Sequence, residues 1–294
     1  MDVREVFGSI LTNSAISVAY HPFHLSKTLM QVGHEPLPPY EGKSFPLRRP
    51  VTRLPNVFSY IGHVRSIDGM FGLYRGLVPR LLEHAVGTLA GDYALSRIPL
   101  DRRIDLDPHA CTVADYALFK AKEGARLCVA RAVAVVASHP LHVIGLRAIV
   151  QFVGRETIYD SIPSAVMEII SRDGVPGLFA GLLPRLATEM TSILLIHTIS
   201  SIVSYLVGYF QPEKNDKEGE DDLKFQLRFI STYFARYIMF PYELSCTLLV
   251  VNDCGLKATE SPLMPVFDGF SGCWAYLVRE KAFKRGSNIF FRTL

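Results

Sequence analysis

Residues 68–80 read DGMFGLYRGLVPR, and residues 173–185 read DGVPGLFAGLLPR. The two stretches share the pattern Asp-Gly-x4-aromatic-x-Gly-Leu-x-Pro-Arg and lie 105 residues apart. A third and shortened copy, Glu280-x5-Gly286, comes near the end of the sequence. Self-similarity at a fixed period indicates repeated structural units. The sequence therefore predicts two helical units and a truncated third.

A proline within an apolar stretch precedes each copy, at Pro22, Pro140 and Pro241. We expect these prolines to kink helices, because proline removes a backbone hydrogen bond. Pro79 and Pro184 fall near the first turn of the helix that follows each motif, where the missing N–H costs nothing. The sequence thus predicts a single domain made of repeat 1 (about residues 1–100), repeat 2 (about 110–210) and truncated repeat 3 (about 223–294).

The composition indicates a membrane protein. Hydrophobic residues make up 49% of the chain and charged residues 20%, and the mean hydropathy is +0.21. Residues 190–210 contain no charged side chain, and this length crosses a bilayer as a helix. Four more polar segments are further candidates: residues 6–25, 81–96, 127–150 and 229–251. We therefore predict an all-α membrane protein with about five spans.

Charge and cysteine content exclude other classes. A net charge of +3, without basic clusters interleaved with aromatic residues, argues against nucleic-acid binding. Residues 211–222 are acidic and lack apolar periodicity, so we expect an exposed loop, with docking of a partner as an alternative role. The five cysteines form no CxxC pair and no metal spacing.

Two histidine pairs invite a metal interpretation. His21 and His24, and likewise His139 and His142, are spaced to share one helix face. No cysteine or carboxylate lies at a matching spacing, and duplication of the repeat explains the recurrence. We expect no metal and no cofactor.

The loops contain short amphipathic segments. Their apolar residues recur at helical spacing: Val57, Phe58, Ile61 and Val64; Ile162, Val166 and Ile169; Phe267, Phe270, Trp274 and Leu277. This spacing is typical of helices that lie on the membrane surface. Helices that pack against the protein's own base would show the same pattern.

The repeated Asp-Gly-x4-aromatic-base-Gly element, together with a proline followed by acidic and basic positions, resembles the mitochondrial carrier family. Three stretches resemble more closely its divergent outer-membrane branch, the mitochondrial carrier homologs: residues 31–39 (QVGHEPLPP), 150–156 (VQFVGRE) and 285–292 (RGSNIFFR). The resemblance implies helix pairs around a central cavity. It assigns structural roles to Pro22, Asp68, Gly69, Arg75, Gly76, Pro140, Asp173, Gly174, Gly181 and Pro241.

The gate positions depart from the family pattern. In carriers, the acidic and basic residues that follow each proline form a ring of three ion pairs. The acidic positions of this chain are His24, His142 and Glu243, and the basic positions are Lys27, Gly145 and Cys246. Lys27–Glu243 is therefore the one pair we expect. On the even helices, residues 193–210 carry no charge for the opposite gate.

A second departure concerns the sixth helix of the carrier fold. Eight residues follow Gly286, whereas a span needs about 20. We therefore expect this helix to be missing and one side of the cavity to face lipid.

Charged and histidine side chains occur inside the candidate spans. An ionised group at mid-bilayer costs at least ~2.5–3.5 kcal/mol, so these groups are expected to face a hydrated interior or to pair with each other. For Arg185 and Glu189 a salt bridge at the helix end is an equal alternative. We predict a polar groove lined by Lys27, Arg80, Glu83, His84, Arg131, His142, Glu189, His197, Arg236 and Glu243.

The resemblance implies insertion of tail-anchored and other α-helical proteins into the mitochondrial outer membrane, with membrane lipids and these client proteins as partners. It also implies lipid scrambling and recruitment of pro-apoptotic Bcl-2-family proteins. Solute transport and a passive receptor or scaffold remain alternatives. No nucleophile–base constellation is visible, so we expect no enzymatic activity.

Overall fold

The computed structural model describes residues 3–43, 50–98, 112–210, 217–260 and 263–293, which form eight α-helices and three short strands. The helices are α1 (Val3–Val32), α2 (Val57–Gly72), α3 (Leu77–Arg97), α4 (Val113–Val150), α5 (Ile162–Asp173), α6 (Leu182–Phe210), α7 (Lys217–Val251) and α8 (Gly269–Arg279). The strands are β1 (Tyr40–Lys43), β2 (Pro50–Leu54) and β3 (Arg292–Thr293).

The long helices match the predicted spans. Helices α1, α3, α4, α6 and α7 contain 30, 21, 38, 29 and 35 residues, and each contains one predicted span. Even the shortest, at 1.5 Å per residue, reaches about 32 Å, the thickness of the hydrocarbon core. Among the described residues, Val113–Val150, Val175–Leu206 and Phe229–Val251 are also apolar enough to cross a membrane. The all-α membrane fold is therefore confirmed.

The chain divides into two compact units. Unit 1 consists of Met1–Val86, Ser138–Pro184 and Glu243–Leu294, and unit 2 of Gly87–Ala137 and Arg185–Tyr242. Helices α3, α4, α6 and α7 contribute to both. Because unit 1 contains residues of every repeat, its internal contacts reveal how the repeats join. The single-domain organisation remains a prediction.

The first junction in unit 1 is a close backbone contact at Gly76. This residue has φ +75°, a left-handed conformation that side chains with a Cβ rarely adopt. A Cβ at this position would lie 2.7 Å from the carbonyl oxygen of Gly145 in α4. The motif of repeat 1 thus packs directly on the first helix of repeat 2.

The other two junctions repeat this contact. A Cβ at Gly181 would lie 3.3 Å from the carbonyl oxygen of Cys246, and a Cβ at Gly286 would lie 3.5 Å from that of Lys27. The contacted residues, together with Gly145, are the three basic gate positions. Each repeat of unit 1 therefore packs its motif glycine against the same position of another repeat.

The histidines before the helix prolines bond these motifs to the helices. His21 Nε2 donates to the carbonyl oxygen of Arg75 at 2.8 Å, and His139 Nε2 donates to that of Ala180 at 2.9 Å. Both acceptors directly precede a motif glycine. Within the described part of the chain, no group of three or more His, Cys, Asp or Glu side chains is arranged to hold a metal ion. Duplication of this hydrogen bond accounts for the two recurring histidines.

The third motif continues differently from the first two. Helices α3 and α6 begin one residue after Gly76 and Gly181, whereas the described residues after Gly286 form turns and strand β3 without a helix. Strand β3 pairs antiparallel with β2, which pairs antiparallel with β1. This small sheet is an addition to the predicted all-α fold.

The short helices pack on the protein itself. Val57, Tyr60 and Val64 of α2 are buried in a core with Leu25 and Leu29 of α1. In α5 and α8 the buried residues are Ala165, Ile169, Cys273 and Leu277. Packing against the protein accounts for Val57, Val64, Ile169 and Leu277 of the predicted faces, whereas Phe58 and Phe270 remain 59% and 37% exposed.

The acidic segment is only partly a loop. Helix α7 begins at Lys217, so residues 217–222 are helical, which corrects the prediction for the second half of segment 211–222. Four of the residues 217–222 are acidic, and acidic side chains near the N-terminal end of a helix are favoured by the helix dipole. Residues 211–216 and Cys111 lie outside the described residues.

We predict that Gly76→Ala destabilises the protein by roughly 2–4 kcal/mol, because alanine is strained at positive φ and its Cβ meets a carbonyl oxygen. Thermal unfolding in detergent measures the effect. Gly62→Ala is the matched control, since a Cβ at this exposed position in α2 meets nothing within 4 Å and alanine favours the helix. Equal unfolding temperatures for the two variants would contradict the close contact.

The surroundings of His34 predict that the stability of the folded protein depends on pH. It lies beyond the end of α1, and its Nδ1 is 2.6 Å from the hydroxyl of Tyr60. Burial lowers the pKa of His34 from its ordinary value of 6.5, and the charge of His63 lowers it further. The unfolded state therefore binds more protons just below pH 6.5, so stability falls as the pH drops through this value.

We expect His34→Gln to flatten this dependence by up to about 1.4 kcal/mol per pH unit. The unfolding temperatures of both proteins, measured from pH 8 to pH 5.5, test the prediction. Near pH 8 His34 is neutral in both the folded and the unfolded state. The difference in unfolding temperature between the two proteins should therefore not change with pH there. Parallel curves over the whole range would show that His34 is not responsible.

Candidate functional site

The predicted pair between Lys27 and Glu243 forms in unit 1. Lys27 Nζ of α1 lies 3.0 Å from Glu243 Oε1 of α7. The two side chains remain 25% and 47% exposed, respectively. An ion pair thus joins the first and third repeats and stays accessible from outside the protein.

A second polar pair in unit 1 was not anticipated as a pair. His142 Nδ1 of α4 donates to Glu83 Oε1 of α3 at 3.1 Å. Sequence spacing placed both residues in the groove, but it gave no sign that they face each other. Arg80 lies one turn before Glu83, and its Nε is buried without a hydrogen-bond partner among the described residues. Unit 1 therefore concentrates charged and imidazole groups on four of the long helices, α1, α3, α4 and α7.

In unit 2, Arg131 of α4 pairs with Glu189 of α6. The distances from Nη2 and Nε of Arg131 to Glu189 Oε2 are 3.0 and 3.1 Å. The side chains are 45% and 30% exposed. Glu189 thus has an inter-helix partner, as the pairing predicted for the charged set requires, and the helix-end bridge to Arg185 stays an alternative prediction.

The remaining groove candidates have different surroundings. His197 of α6 donates from Nε2 to the backbone carbonyl of Lys120 at 2.8 Å, and its ring lies against Gly124. It therefore acts as a packing contact between α4 and α6. His84 and Arg236 are exposed on α3 and α7.

The aspartates of the two repeated motifs each form an ion pair within the protein. Asp68 pairs with Arg75, the basic residue of the same motif, at 2.8 Å. In repeat 2 the basic position is Ala180, and Asp173 pairs instead with Arg147 of α4 at 2.9 Å. The Arg147 side chain is only 2% exposed. Sequence spacing did not reveal this substitute partner, because Arg147 lies 26 residues away on another helix.

A cavity of about 440 Å³ in unit 1 lies apart from the predicted groove residues. Its wall consists of residues 74–79, Ala148, Gln151 and residues 159–163. Two of its charged groups are already bonded within the protein, Arg75 to Asp68 and Asp160 to Gln151. The wall contains none of the ten predicted groove residues, so the cavity is a feature separate from them.

Comparison with known proteins agrees with this architecture. Residues 126–209 match the family model described as "Mitochondrial carrier protein". Mitochondrial carrier homolog 2 of Homo sapiens is 34% identical over 296 residues, covering 99% of this chain and 95% of that protein. Mitochondrial carrier homolog 1 of Mus musculus is 32% identical over 301 residues, covering 96% of this chain and 75% of that protein. The chain therefore belongs to the mitochondrial carrier family, among the mitochondrial carrier homologs.

Proposed function

We propose that this mitochondrial multi-pass membrane protein inserts tail-anchored and other α-helical proteins into the outer membrane. The observation that carries the proposal is the Lys27–Glu243 pair. Both residues belong to helices long enough to span a bilayer, yet their charged side chains are partly exposed. A protein whose long helices present accessible charge provides polar surroundings within the membrane.

The cost of charge in lipid supports this interpretation. An ionised side chain exposed to lipid costs at least ~2.5–3.5 kcal/mol near mid-bilayer. Pairing with an opposite charge lowers this free-energy cost only for the part of each ionised group that faces its partner. Glu243 and Arg131 are each nearly half exposed, so we infer that their open sides contact water. The pairs in the two units thus mark hydrated surfaces on the long helices.

Such surfaces suit the insertion of a helical client. The short polar tail of a client must cross the hydrocarbon region, where each unsatisfied polar group costs several kcal/mol. Paired side chains and their associated water provide hydrogen-bond partners that lipid tails lack. The apolar helix of the client then enters lipid, driven by removal of its surface from water. No covalent step is required.

The motif contacts argue against a conventional carrier cycle. The basic gate positions of repeats 2 and 3 are Gly145 and Cys246, and their backbone carbonyls lie against Gly76 and Gly181. Neither provides the cation that a ring of three ion pairs needs. The Lys27–Glu243 pair joins α1 to α7. An equivalent ion pair cannot form at Gly145 or Cys246, because neither side chain carries a positive charge. Solute transport by alternating closure of two gates is therefore disfavoured.

Lipid scrambling is the nearest alternative, because headgroups need the same hydrated surfaces. Recruitment of a Bcl-2-family protein would instead use an exposed docking surface. Both activities can be measured beside insertion in the same vesicles.

We predict that Lys27→Glu and Glu243→Lys each slow insertion about threefold to tenfold, which corresponds to roughly 0.7–1.4 kcal/mol, because each places like charges together. The double variant restores an opposite pair and should recover most of the rate. Purified protein in liposomes is offered a tail-anchored substrate, and protection of its tail from added protease is measured against empty liposomes.

Lys257→Glu is the control, because it makes the same charge change in the loop after α7, outside the spans. Transfer of a fluorescent lipid between leaflets is followed in parallel. Lipid transfer without protection of the client tail would contradict the insertase proposal. Equal insertion by all the variants would exclude a role for the Lys27–Glu243 pair.

A further inference from the structure

The last described segment, residues 285–293, lies across the junction between repeats 3 and 1, and we call it the strap. At its start Arg285 Nε donates to the carbonyl oxygen of Gln31 at 2.9 Å. In its middle the carbonyl oxygen of Ile289 accepts from the backbone N–H of Val57 at 2.8 Å. The strap therefore contacts both the end of α1 and the start of α2.

The end of the strap is held by strand pairing and one charge. Thr293 lies opposite Arg53, and Arg292 lies opposite Leu54, in the β2–β3 ladder. The guanidinium of Arg292 pairs with the carboxylate of Glu35 and donates to the carbonyl oxygen of Pro55. Its side chain is only 5% exposed. The strap thus buries a cation whose one carboxylate partner in the described residues is Glu35.

Little apolar surface holds the strap in place. Phe290 and Phe291 remain 49% and 73% exposed, while Ile289 is partly buried against the core of α1 and α2. Strand β3 contains only two residues. A buried guanidinium that loses its counter-charge strongly favours return to water. Docking of the strap therefore depends on the Glu35–Arg292 pair, together with the backbone pairing and the contacts of Ile289 and of Phe290, whose ring lies 5.9 Å from that of Phe58.

The third junction differs from the other two in this respect. The motifs at Gly76 and Gly181 continue into long helices that are anchored along their length. Among the described residues, the motif at Gly286 continues into the strap. Gly286 also packs against the backbone of Lys27, the residue that pairs with Glu243. Strap and ion pair therefore close the same junction.

We propose that the strap is a releasable closure of the junction between repeats 3 and 1, and that its release admits the client. This inference rests on the proposed insertase function. A closed strap packs on the turn of α1 that carries Lys27. With the strap open, that turn is still held to α7 by the ion pair with Glu243 and to α2 by the apolar core around Leu25 and Leu29. Release of the strap breaks the Glu35–Arg292 pair, the β2–β3 pairing and the hydrogen bonds to Gln31 and Val57, without unfolding a helix.

The first experiment measures docking directly and does not depend on insertion. Glu35→Gln should speed amide hydrogen exchange about tenfold or more in residues 285–293 and 50–57. Glu280→Gln is the matched control, because it removes the same charge from an exposed pair with Arg279. The double variant Glu35→Arg/Arg292→Glu should restore protection. If amide hydrogen exchange were unchanged in Glu35→Gln, the proposal that the strap docks through Glu35 would be overturned.

The second experiment tests whether release is needed. Arg53→Cys and Thr293→Cys, introduced into protein whose five native cysteines are replaced by alanine, place two thiols at directly opposed strand positions. We expect the oxidised protein to insert a tail-anchored substrate about fivefold or more slowly than the same protein after reduction. Each single cysteine variant should be insensitive to oxidation. Equal rates in the oxidised and reduced forms would overturn the proposed release.

The two outcomes separate the proposals. If the unmodified protein inserts no client, the proposed function fails, whereas the exchange measurement still decides whether the strap docks through Glu35. Normal insertion by a locked strap contradicts only the inference drawn in this section.

Discussion

The structure of unit 1 depends on the contact between a glycine and a helix backbone. Gly76 packs against the carbonyl of Gly145, and the same contact recurs at the other two junctions. At Gly76, where a Cβ would lie 2.7 Å from the carbonyl oxygen of Gly145, only a residue without a Cβ permits this approach at a positive φ. The contact uses the backbone of the opposing helix, so the side chain at that position is free to change. The packing of the three motif glycines therefore does not require a cation at the gate positions, two of which are Gly145 and Cys246.

The charges that remain are arranged in pairs between helices. Glu83 with His142 and Arg131 with Glu189 join neighbouring helices within their own units. Pairing lets these groups reside in long apolar helices, because each partner offsets part of the cost of leaving water. The partial exposure of these paired side chains has a second consequence. The same side chains that hold helices together can offer hydrogen bonds to a polar segment that passes along them.

Features that depend on chain spacing could be predicted from the sequence, and features that depend on tertiary neighbours could not. The five long helices follow from length and hydrophobicity, and the Lys27–Glu243 pair follows from the position of each residue after its proline. The Arg147–Asp173 pair had no such signal, since it replaces a motif partner with a residue of another helix. Strand β3 has two residues, too few for a period of two to appear.

The central claim is that the ionised side chains of the long helices contact water while neighbouring apolar ones contact lipid. The most direct measurement compares Glu189→Cys with Leu194→Cys, both on α6, in reconstituted protein without other cysteines. Leu194 is 47% exposed and Glu189 30%, so exposure alone favours Leu194. Because thiolates form in water, we expect a membrane-impermeant thiol reagent to modify the Glu189→Cys protein at least about tenfold faster. Equally slow modification of both proteins would contradict the account.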